Sequence, residues 1–367
     1  LPTTLRQYPT ISSAPLLVAA IDVNGDLYPD ILAASANDDQ LSVLINAGLG
    51  DATFHAAVNY PLDPPNSPEG MAVADLNGDQ LPDVVVVNYS GTMSILLGSS
   101  AQPGTYPTRT DYSLPAGAGP TPYSYVHVGD FNRDGHNDIV TPNYYTGSLV
   151  TLLGDGSGLF HAPPILTQTP SQQPIAVTTA DFNRDGHLDV LLTFLSPGRV
   201  AIMLGYGNGS FANSSTPFYN YPAGGTASDA APVDLNGDGN LDVIIAGLSS
   251  NTIGVLLGGI DGTLVGPGAS YAVGTGPDYV AVADFDGDGR LDVVTQSPDD
   301  NAVYTLLGNG DGTFGLAIAN STGASTYPAS VCAADVNGDG QPVIITANSG
   351  SNTVSILYTP MVLVPVS

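Results

Sequence analysis

Seven acidic loops contain the side chains of this protein that are best suited to binding a metal ion. They recur every 50 to 55 residues and begin at Asp22, Asp75, Asp130, Asp181, Asp234, Asp284 and Asp335. Aspartate or asparagine occupies positions 1, 3 and 5 of each loop, and a further aspartate occupies position 9 in six of them. Alternate residues of a tight turn can point inward together, so this spacing aims several oxygen donors at one point. The candidate metal ligands are Asp22, Asn24, Asp26, Asp30, Asp75, Asn77, Asp79, Asp83, Asp130, Asn132, Asp134, Asp138, Asp181, Asn183, Asp185, Asp189, Asp234, Asn236, Asp238, Asp242, Asp284, Asp286, Asp288, Asp292, Asp335, Asn337 and Asp339.

Calcium is the cation that fits these loops best. It takes six to eight oxygen ligands and tolerates irregular geometry, whereas magnesium requires a nearly octahedral shell and keeps its waters. A backbone carbonyl near position 7 would complete the shell with the position-9 carboxylate. The EF-hand begins with a similar pattern, but it also needs a glutamate at position 12 and flanking helices. Position 12 is Val86 in the second loop and Ile245 in the fifth, and a β-branched run follows both loops.

Two simpler interpretations of the loops stay open. Asp, Asn and Gly are ordinary turn residues, so a single loop of this kind would be a weak signal. Seven copies in one register favour a metal, but the ions would then serve as staples that hold each loop, with no regulatory or catalytic role. The seventh loop has Val343 at position 9. We therefore expect six complete calcium sites and a seventh that is weaker or empty.

The elements around the loops repeat with the same period. An apolar strand leads into each loop, a β-branched strand such as Val84 to Val87 follows it, and a polar turn leads to a third strand that ends in Leu-Leu-Gly or a similar sequence. A glycine-rich turn with an aromatic residue then leads to a less apolar fourth strand. No segment has helical periodicity. Four strands repeated seven times predict an all-β, seven-bladed β-propeller of antiparallel blades.

The two ends of the chain are expected to meet. We predict one propeller over residues 1–358, in which an N-terminal strand over residues 5–12 completes the last blade and closes the ring. Residues 359–367 then form an apolar tail, and its candidate assembly residues are Met361, Val362, Leu363 and Val364. This tail could pack on its own last blade or add as a strand to a neighbouring molecule, which would make a filament if the contact did not close.

Composition limits the partners and suggests the compartment. The formal net charge is −28, and by our count 21 of the 34 acidic residues lie inside the seven loops. This charge disfavours nucleic acid and anionic membranes as partners, and no apolar run is long enough to span a membrane. The single cysteine, Cys332, is expected to be a small core residue, with an intermolecular disulfide as the alternative. Sequons predict glycan acceptors at Asn88, Asn208, Asn213 and Asn320, and we expect an extracellular location.

The acidic loop, together with the Leu-Leu-Gly-x-Gly-x-Gly-x-Phe turn, resembles the FG-GAP/VCBS repeat family over residues 14 to 358. That resemblance implies a seven-bladed propeller like those of integrin α-subunit heads and of certain fungal lectins. It also implies that the loop binds calcium between the first two strands of a blade. The sequence departs from the family pattern at Val343, at Gln80-Leu81 and at Leu27-Tyr28. Adhesion, carbohydrate binding or scaffolding outside the cell are the functions that the resemblance implies.

Three hypotheses for function follow. The first is a secreted structural or adhesive protein that contacts other proteins, including copies of itself. The second is a lectin-like module that binds glycans through loop residues such as Tyr89, Tyr144 and Tyr145, although the chain has no tryptophan to stack on sugars. The third is an enzyme, which we disfavour because His136 and His187 repeat the same place in two loops and no Gly-x-Ser-x-Gly motif occurs.

Overall fold

The chain folds as an all-β propeller. The computed structural model describes residues 4–10, 12–62, 67–115, 125–171, 173–195, 198–212, 218–220 and 225–358. These residues form 28 strands and no helix, and the strands assemble into seven four-stranded antiparallel sheets. No helix capable of crossing a membrane is therefore found in this part of the chain. The predicted fold class and blade number are confirmed.

Each sheet is one blade, and the strands occupy equivalent places in all seven. The first strands are β2 (Pro15–Ile21), β6 (Pro68–Ala74), β10 (His127–Gly129), β14 (Pro174–Ala180), β18 (Ala227–Val233), β22 (Val280–Ala283) and β26 (Pro328–Ala334). The second strands are β3 (Asp30–Ser35), β7 (Asp83–Asn88), β11 (Asp138–Asn143), β15 (Asp189–Phe194), β19 (Asp242–Gly247), β23 (Asp292–Ser297) and β27 (Val343–Asn348).

The third and fourth strands form the outer part of each blade. The third strands are β4 (Gln40–Leu44), β8 (Thr92–Leu97), β12 (Ser148–Leu152), β16 (Arg199–Met203), β20 (Thr252–Gly258), β24 (Ala302–Leu306) and β28 (Thr353–Tyr358). The fourth strands are β5 (Val58–Pro61), β9 (Thr108–Ser113), β13 (Ile165–Gln168), β17 (Phe218–Asn220), β21 (Leu264–Ala272), β25 (Ile318–Ser321) and, for the seventh blade, β1 (Thr4–Pro9).

The hydrophobic core lies between blades rather than within them. Every residue of the second strands is buried, because both faces of these strands are covered by a neighbouring blade. A run of β-branched residues such as Val84 to Val87 suits this environment, since it places apolar side chains on both faces. The described residues form seven apolar clusters, one at each interface between adjacent blades.

The N-terminal strand closes the ring, as predicted. Strand β1 pairs antiparallel with β28, in register from Thr4 opposite Tyr358 to Pro9 opposite Thr353. The backbone N–H of Thr10 continues the pairing by donating to the carbonyl of Asn352 at 3.0 Å. The strand spans Thr4–Pro9 rather than 5–12. Residues 359–367, which include Met361, Val362, Leu363 and Val364, lie outside the described residues.

Aromatic pairs join the fourth strand of one blade to the turn after the third strand of the next. Tyr8 meets Phe54, and Tyr112 meets Phe160, with ring centroids 5.1 and 5.9 Å apart and edge-to-face geometry. The same edge-to-face contact occurs between blades 1 and 2, where Tyr60 meets Tyr106, and between blades 5 and 6, where Tyr271 meets Phe314. At these four interfaces the aromatic residue that follows the turn is therefore a contact between blades.

Candidate metal centres

The seven acidic loops, numbered 1 to 7 in chain order, connect the first strand of each blade to the second. All seven therefore lie at the same end of their blades. The backbone takes positive φ at positions 4 and 6 of every loop, and glycine occupies most of these positions. Leu27 and Gln80 take φ of 73° and 67° at position 6, and Arg133 and Arg184 take 63° and 60° at position 4. The sequence departures at Leu27 and Gln80 thus leave the loop backbone unchanged.

Loop 6 brings its carboxylates closest together. One oxygen from each of Asp284, Asp286 and Asp292 lies within 4.8 Å of the others. The Asp284 carboxylate also accepts the backbone N–H groups of Gly287 at 2.7 Å and Gly289 at 2.8 Å, which fixes its orientation. Three carboxylates that face one point repel one another unless a cation lies between them. This donor set is the one that a hard divalent cation such as calcium prefers.

The other six loops relieve part of that repulsion internally. The asparagine at position 3 donates through Nδ2 to the position-5 carboxylate, at distances from 2.8 to 3.3 Å. Loop 6 has Asp286 at this place, and a carboxylate cannot donate. Burial, together with the charge of Asp288, raises the pKa of Asp286. In loop 4, by contrast, the backbone N–H of His187 and the amide of Asn183 lower the pKa of Asp185.

The position-9 aspartates have a structural role that sequence reasoning missed. Asp292 is 1% exposed, its Oδ2 accepts the N–H of Phe285 and its Oδ1 accepts the N–H of Gly308, both at 2.8 Å. One carboxylate therefore ties its own loop to the end of the third strand of the same blade. Loops 1 to 5 contain the same pair of bonds, to Asp30, Asp83, Asp138, Asp189 and Asp242.

These buried carboxylates remain able to face a metal ion. Each carboxylate oxygen accepts one backbone N–H and keeps a second lone pair. Burial raises the pKa of five of them to about 6, and it also raises the pKa of the sixth, Asp242. The backbone N–H donors act in the opposite direction and lower the pKa of all six. The five are Asp30, Asp83, Asp138, Asp189 and Asp292.

Loop 7 lacks the position-9 carboxylate, and the structure gives this position to the core. Val343 is 3% exposed and belongs to the apolar cluster between blades 7 and 1, with Val336 and Ile31. Asp335, Asn337 and Asp339 keep the loop geometry of the other blades. Loop 7 therefore has three of the four side-chain donors.

The acidic loops also contact the following blade. In loops 1, 2 and 3 the carbonyl at position 2 accepts a backbone N–H from the turn after the third strand of the next blade, as from Gly158 to Leu76 at 3.1 Å and from Gly209 to Phe131 at 2.9 Å. At the ring closure, Nδ2 of Asn46 donates to the carbonyl of Val336 at 2.8 Å. An ion that fixed a loop would consequently fix an interface between two blades.

The predicted glycan acceptors have different environments. Asn208 is exposed in a turn, and Asn320 is half-buried on β25. Asn213 lies outside the described residues. The prediction at Asn88 is wrong in its placement, because Asn88 is fully buried at the end of β7 and donates through Nδ2 to Thr92 and Ser94 at 3.2 Å. A second strand is covered on both faces, so the folded chain offers no room for a glycan there.

The remaining candidate residues divide between surface and core. Tyr89 and Tyr145 are exposed in turns at the end of the blades opposite the acidic loops, and Tyr144 packs edge-to-face on Tyr145. His136 is exposed, whereas Nδ1 of His187 lies 3.0 Å from Asp185 Oδ1. Cys332 packs against the core between blades 7 and 1, and burial raises the pKa of its thiol to about 12.

Comparison with known proteins identifies the repeat. The FG-GAP-like repeat matches residues 22–86, 75–141, 130–192, 191–245, 234–295 and 284–346. The chain belongs to the FG-GAP-like repeat family. Cartilage acidic protein 1 of Mus musculus is 27% identical over 177 residues, which is 46% of this chain and 27% of that protein. The chain thus matches only about a quarter of the length of this curated relative.

Three solved structures share the propeller fold at low sequence identity. BBS1N in complex with ARL6DN has a TM-score of 0.65 at 10% identity and covers 99% of each chain. Virginiamycin B lyase from Staphylococcus aureus has a TM-score of 0.60 at 14% identity, with 97% of this chain and 99% of that one covered. A lectin from Agrocybe aegerita that recognises non-reducing terminal N-acetylglucosamine has a TM-score of 0.51 at 16% identity, with 97% and 94% covered. The fold therefore occurs in a protein complex, an enzyme and a lectin.

Proposed function

We propose that this FG-GAP-like propeller is an extracellular, calcium-stabilised structural or adhesive protein that acts through contacts with other proteins. The observation that carries the calcium part is the trio of carboxylates in loop 6, whose oxygens lie within 4.8 Å of one another. Equivalent donors recur in the other loops, and 21 acidic residues in the seven loops would otherwise repel one another.

The calcium ions have a structural role in this proposal. Loops 1, 2, 3 and 7 hydrogen-bond to the next blade, so an ion bound in one of them stiffens a blade and the interface beside it. Ligand binding to the native state alone raises stability by mass action. Sites of modest affinity fill at the millimolar calcium concentrations found outside cells, which is why we place the protein there.

The proposal of contacts with other proteins rests on the architecture and on the absence of a catalytic role for the acidic loops in this proposal. A propeller presents a rigid rim and two faces, and the related fold of BBS1N occurs in a complex with ARL6DN. In this proposal the carboxylates of the acidic loops are metal ligands, so we assign no catalytic role to them. Self-assembly through Met361, Val362, Leu363 and Val364 stays part of this proposal as a prediction.

The alternative is a glycan-binding module. Tyr145 is 60% exposed beside Tyr144, and aromatic rings of this kind can stack on sugars. The Agrocybe aegerita lectin has the same fold. Retention of the full chain on an N-acetylglucosamine matrix, and loss of retention in Tyr145→Ala, would favour this alternative over the protein-contact function.

The calcium proposal is tested by thermal unfolding of the full chain in calcium and in excess chelator. We expect a higher Tm in calcium, and we expect Asp286→Ala to lose part of that difference. Asp261→Ala is the matched control, because Asp261 is an exposed aspartate outside the acidic loops. An identical Tm in calcium and chelator, with metal removal verified, would refute calcium stabilisation.

The assembly part has its own test. Light scattering after size separation gives the native mass of the full chain and of a variant that lacks residues 359–367. A mass well above the 37.3 kDa of one chain, reduced to one chain by the deletion, supports self-assembly. A full-length chain that is monomeric at all accessible concentrations contradicts it and leaves contacts with other proteins or glycans.

A further inference from the structure

A cavity with a mainly apolar lining and a few acidic groups lies on the axis where the first strands of the blades converge. Its main part has a volume of about 300 Å³ and is lined by residues of β2, β6, β14, β18, β22 and β26 together with Tyr125 and His127. A second part of about 220 Å³ shares Leu17 and Tyr279 with the first and reaches Glu69 and Asp278. Residues near the beginning of β2 and β6 line this second part, which therefore lies at the end of the blades away from the acidic loops.

Three carboxyl groups from different blades line this axial cavity. Asp229 is held by the backbone N–H of Val280 at 3.0 Å and by its neighbouring N–H of Ala230 at 2.8 Å. Asp278 is held less completely. Its Oδ1 exposes less than 1 Å² and has no hydrogen-bond partner. A buried acceptor left without a donor costs stability, about 1–3 kcal/mol for a typical group and more for a charged one.

The chain supplies no cation to these carboxyl groups. It has no lysine, and none of its six arginines is among the residues that line either part of the cavity. His127 is the one lining group that could become cationic. Burial lowers the pKa of His127, and its Nδ1 is 2.8 Å from the hydroxyl of Thr179. The described lining is therefore acidic without internal neutralisation.

The pKa shifts of the three carboxyl groups are those expected of acidic groups that are buried together without a cation. Burial, followed by the charge of Asp278, raises the pKa of Glu69 to about 7. Burial, followed by the charge of Asp229, raises the pKa of Asp278 to about 7, and burial raises that of Asp229 to about 6. A bound cation would stabilise the ionised form of all three.

Two aromatic rings complete the lining. Tyr125 and Tyr279 pack with their centroids 5.1 Å apart and their planes inclined by 31°. The Tyr125 hydroxyl donates to the backbone carbonyl of Asp278 at 3.4 Å, which ties the ring pair to the carboxylate cluster. Aromatic faces attract organic cations, and the attraction is stronger where water is excluded.

The spacing of the carboxylates distinguishes an organic cation from a bare metal ion. Among the described residues, one acidic trio is compact enough to share a metal ion, and it is the trio in loop 6 rather than the axial one. We propose that the axial cavity binds a small primary amine, with Asp278 and Glu69 accepting its ammonium hydrogens and Tyr279, which lines both parts of the cavity, packing against its carbon chain. This site is separate from the calcium loops and does not depend on calcium binding there.

The test is calorimetric titration of the full chain with putrescine in excess calcium, which competes for the exposed acidic loops. Butanediol has the same carbon chain without charge and serves as the ligand control. We expect putrescine but not butanediol to bind. We expect Asp278→Asn and Glu69→Gln each to weaken putrescine binding about tenfold or more, as removal of a charged hydrogen-bond partner should.

Two control measurements separate a loss of amine binding from a loss of folding. Asp278→Asn and Glu69→Gln remove unneutralised buried charges, so both variants should fold, with a Tm at or above that of the wild type. Asp261→Asn removes one exposed carboxylate far from the axis and should bind putrescine as the wild type does. The proposal is overturned if the wild type does not bind putrescine. It is equally overturned if butanediol binds as well, or if the axial variants bind like the Asp261→Asn control.

Discussion

Replacement of Asp292 by alanine separates the structural and metal-binding roles of the position-9 aspartates. In loop 6 the Asp292 carboxylate accepts the N–H groups of Phe285 and Gly308 at 2.8 Å. Alanine leaves both donors without this acceptor in a buried place, which costs about 1–3 kcal/mol for each donor. Removal of a buried charge returns part of this cost, so we expect a net loss of about 2–4 kcal/mol in chelator.

The assay is thermal unfolding in chelator and in calcium. Globular proteins gain about 2.1 cal/mol/K of unfolding entropy per residue, so for this chain the loss corresponds to a fall in Tm of about 3–5 °C in chelator. Calcium should increase the difference from wild type if Asp292 is also a ligand. Asp292→Asn keeps one acceptor oxygen and should lose about half as much in chelator.

Asp288→Ala is the matched comparison at position 5 of the same loop. Asp288 accepts the N–H of Arg290 at 2.9 Å and holds no bond to the third strand. We expect Asp288→Ala to change stability by about 0.5 kcal/mol or less in chelator, like most surface substitutions, and by more in calcium. If Asp292→Ala and Asp288→Ala are equally mild in chelator, the tie between loop and third strand does not stabilise the blade, and the reasoning fails.

Three further predictions concern the axis, the ring closure and the N-terminal strand. Because the folded pKa of Asp278 is raised from 3.8 to about 7, the stability that its proton provides is complete below pH about 4 and lost as the pH rises through about 7. In calcium, Asp278→Asn should flatten the fall in unfolding free energy over that window, and parallel pH profiles would contradict this. Asn46→Ala removes the bond to the Val336 carbonyl and should cost about 1–3 kcal/mol by chemical denaturation, whereas Asn309→Ala, at an exposed residue, should be nearly neutral. Deletion of residues 1–9 exposes the edge of β28 and should cause association detected by light scattering. A monomer with wild-type Tm would show that β1 is dispensable.

The architecture and the arrangement of the loop donors could be predicted from the amino-acid sequence alone. A fixed period of apolar strands, acidic loops and glycine-rich turns is local information, and within each of the first six blades each strand pairs with the next one along the chain. Period and pattern therefore specified seven four-stranded blades. The oxygen donors of each loop could also be predicted to lie together, because positions 1 to 9 form one continuous turn. The closing strand was predictable because residues Leu5 to Pro9 repeat the pattern of the other fourth strands.

Contacts between distant residues were decided by the tertiary structure. Asp292 bonds to Gly308 only because the third strand returns alongside the second. The sequence around Asp292 indicates a metal ligand and gives no sign of this bond. Asn88 matches a glycan motif, yet its blade is covered on both faces by neighbours. Motifs of this kind describe a few adjacent residues and carry no information on burial by another blade.

The carboxyl groups of the axial cavity could not be predicted as a group from the sequence. Glu69, Asp229 and Asp278 belong to three repeats and match no motif, and nothing in their local sequences distinguishes them from surface acids. They meet because closure of the ring turns the starts of all first strands toward one axis. Period, pattern and loop chemistry are encoded residue by residue along the chain. Burial, shared charge and cavities exist only once distant repeats are brought together.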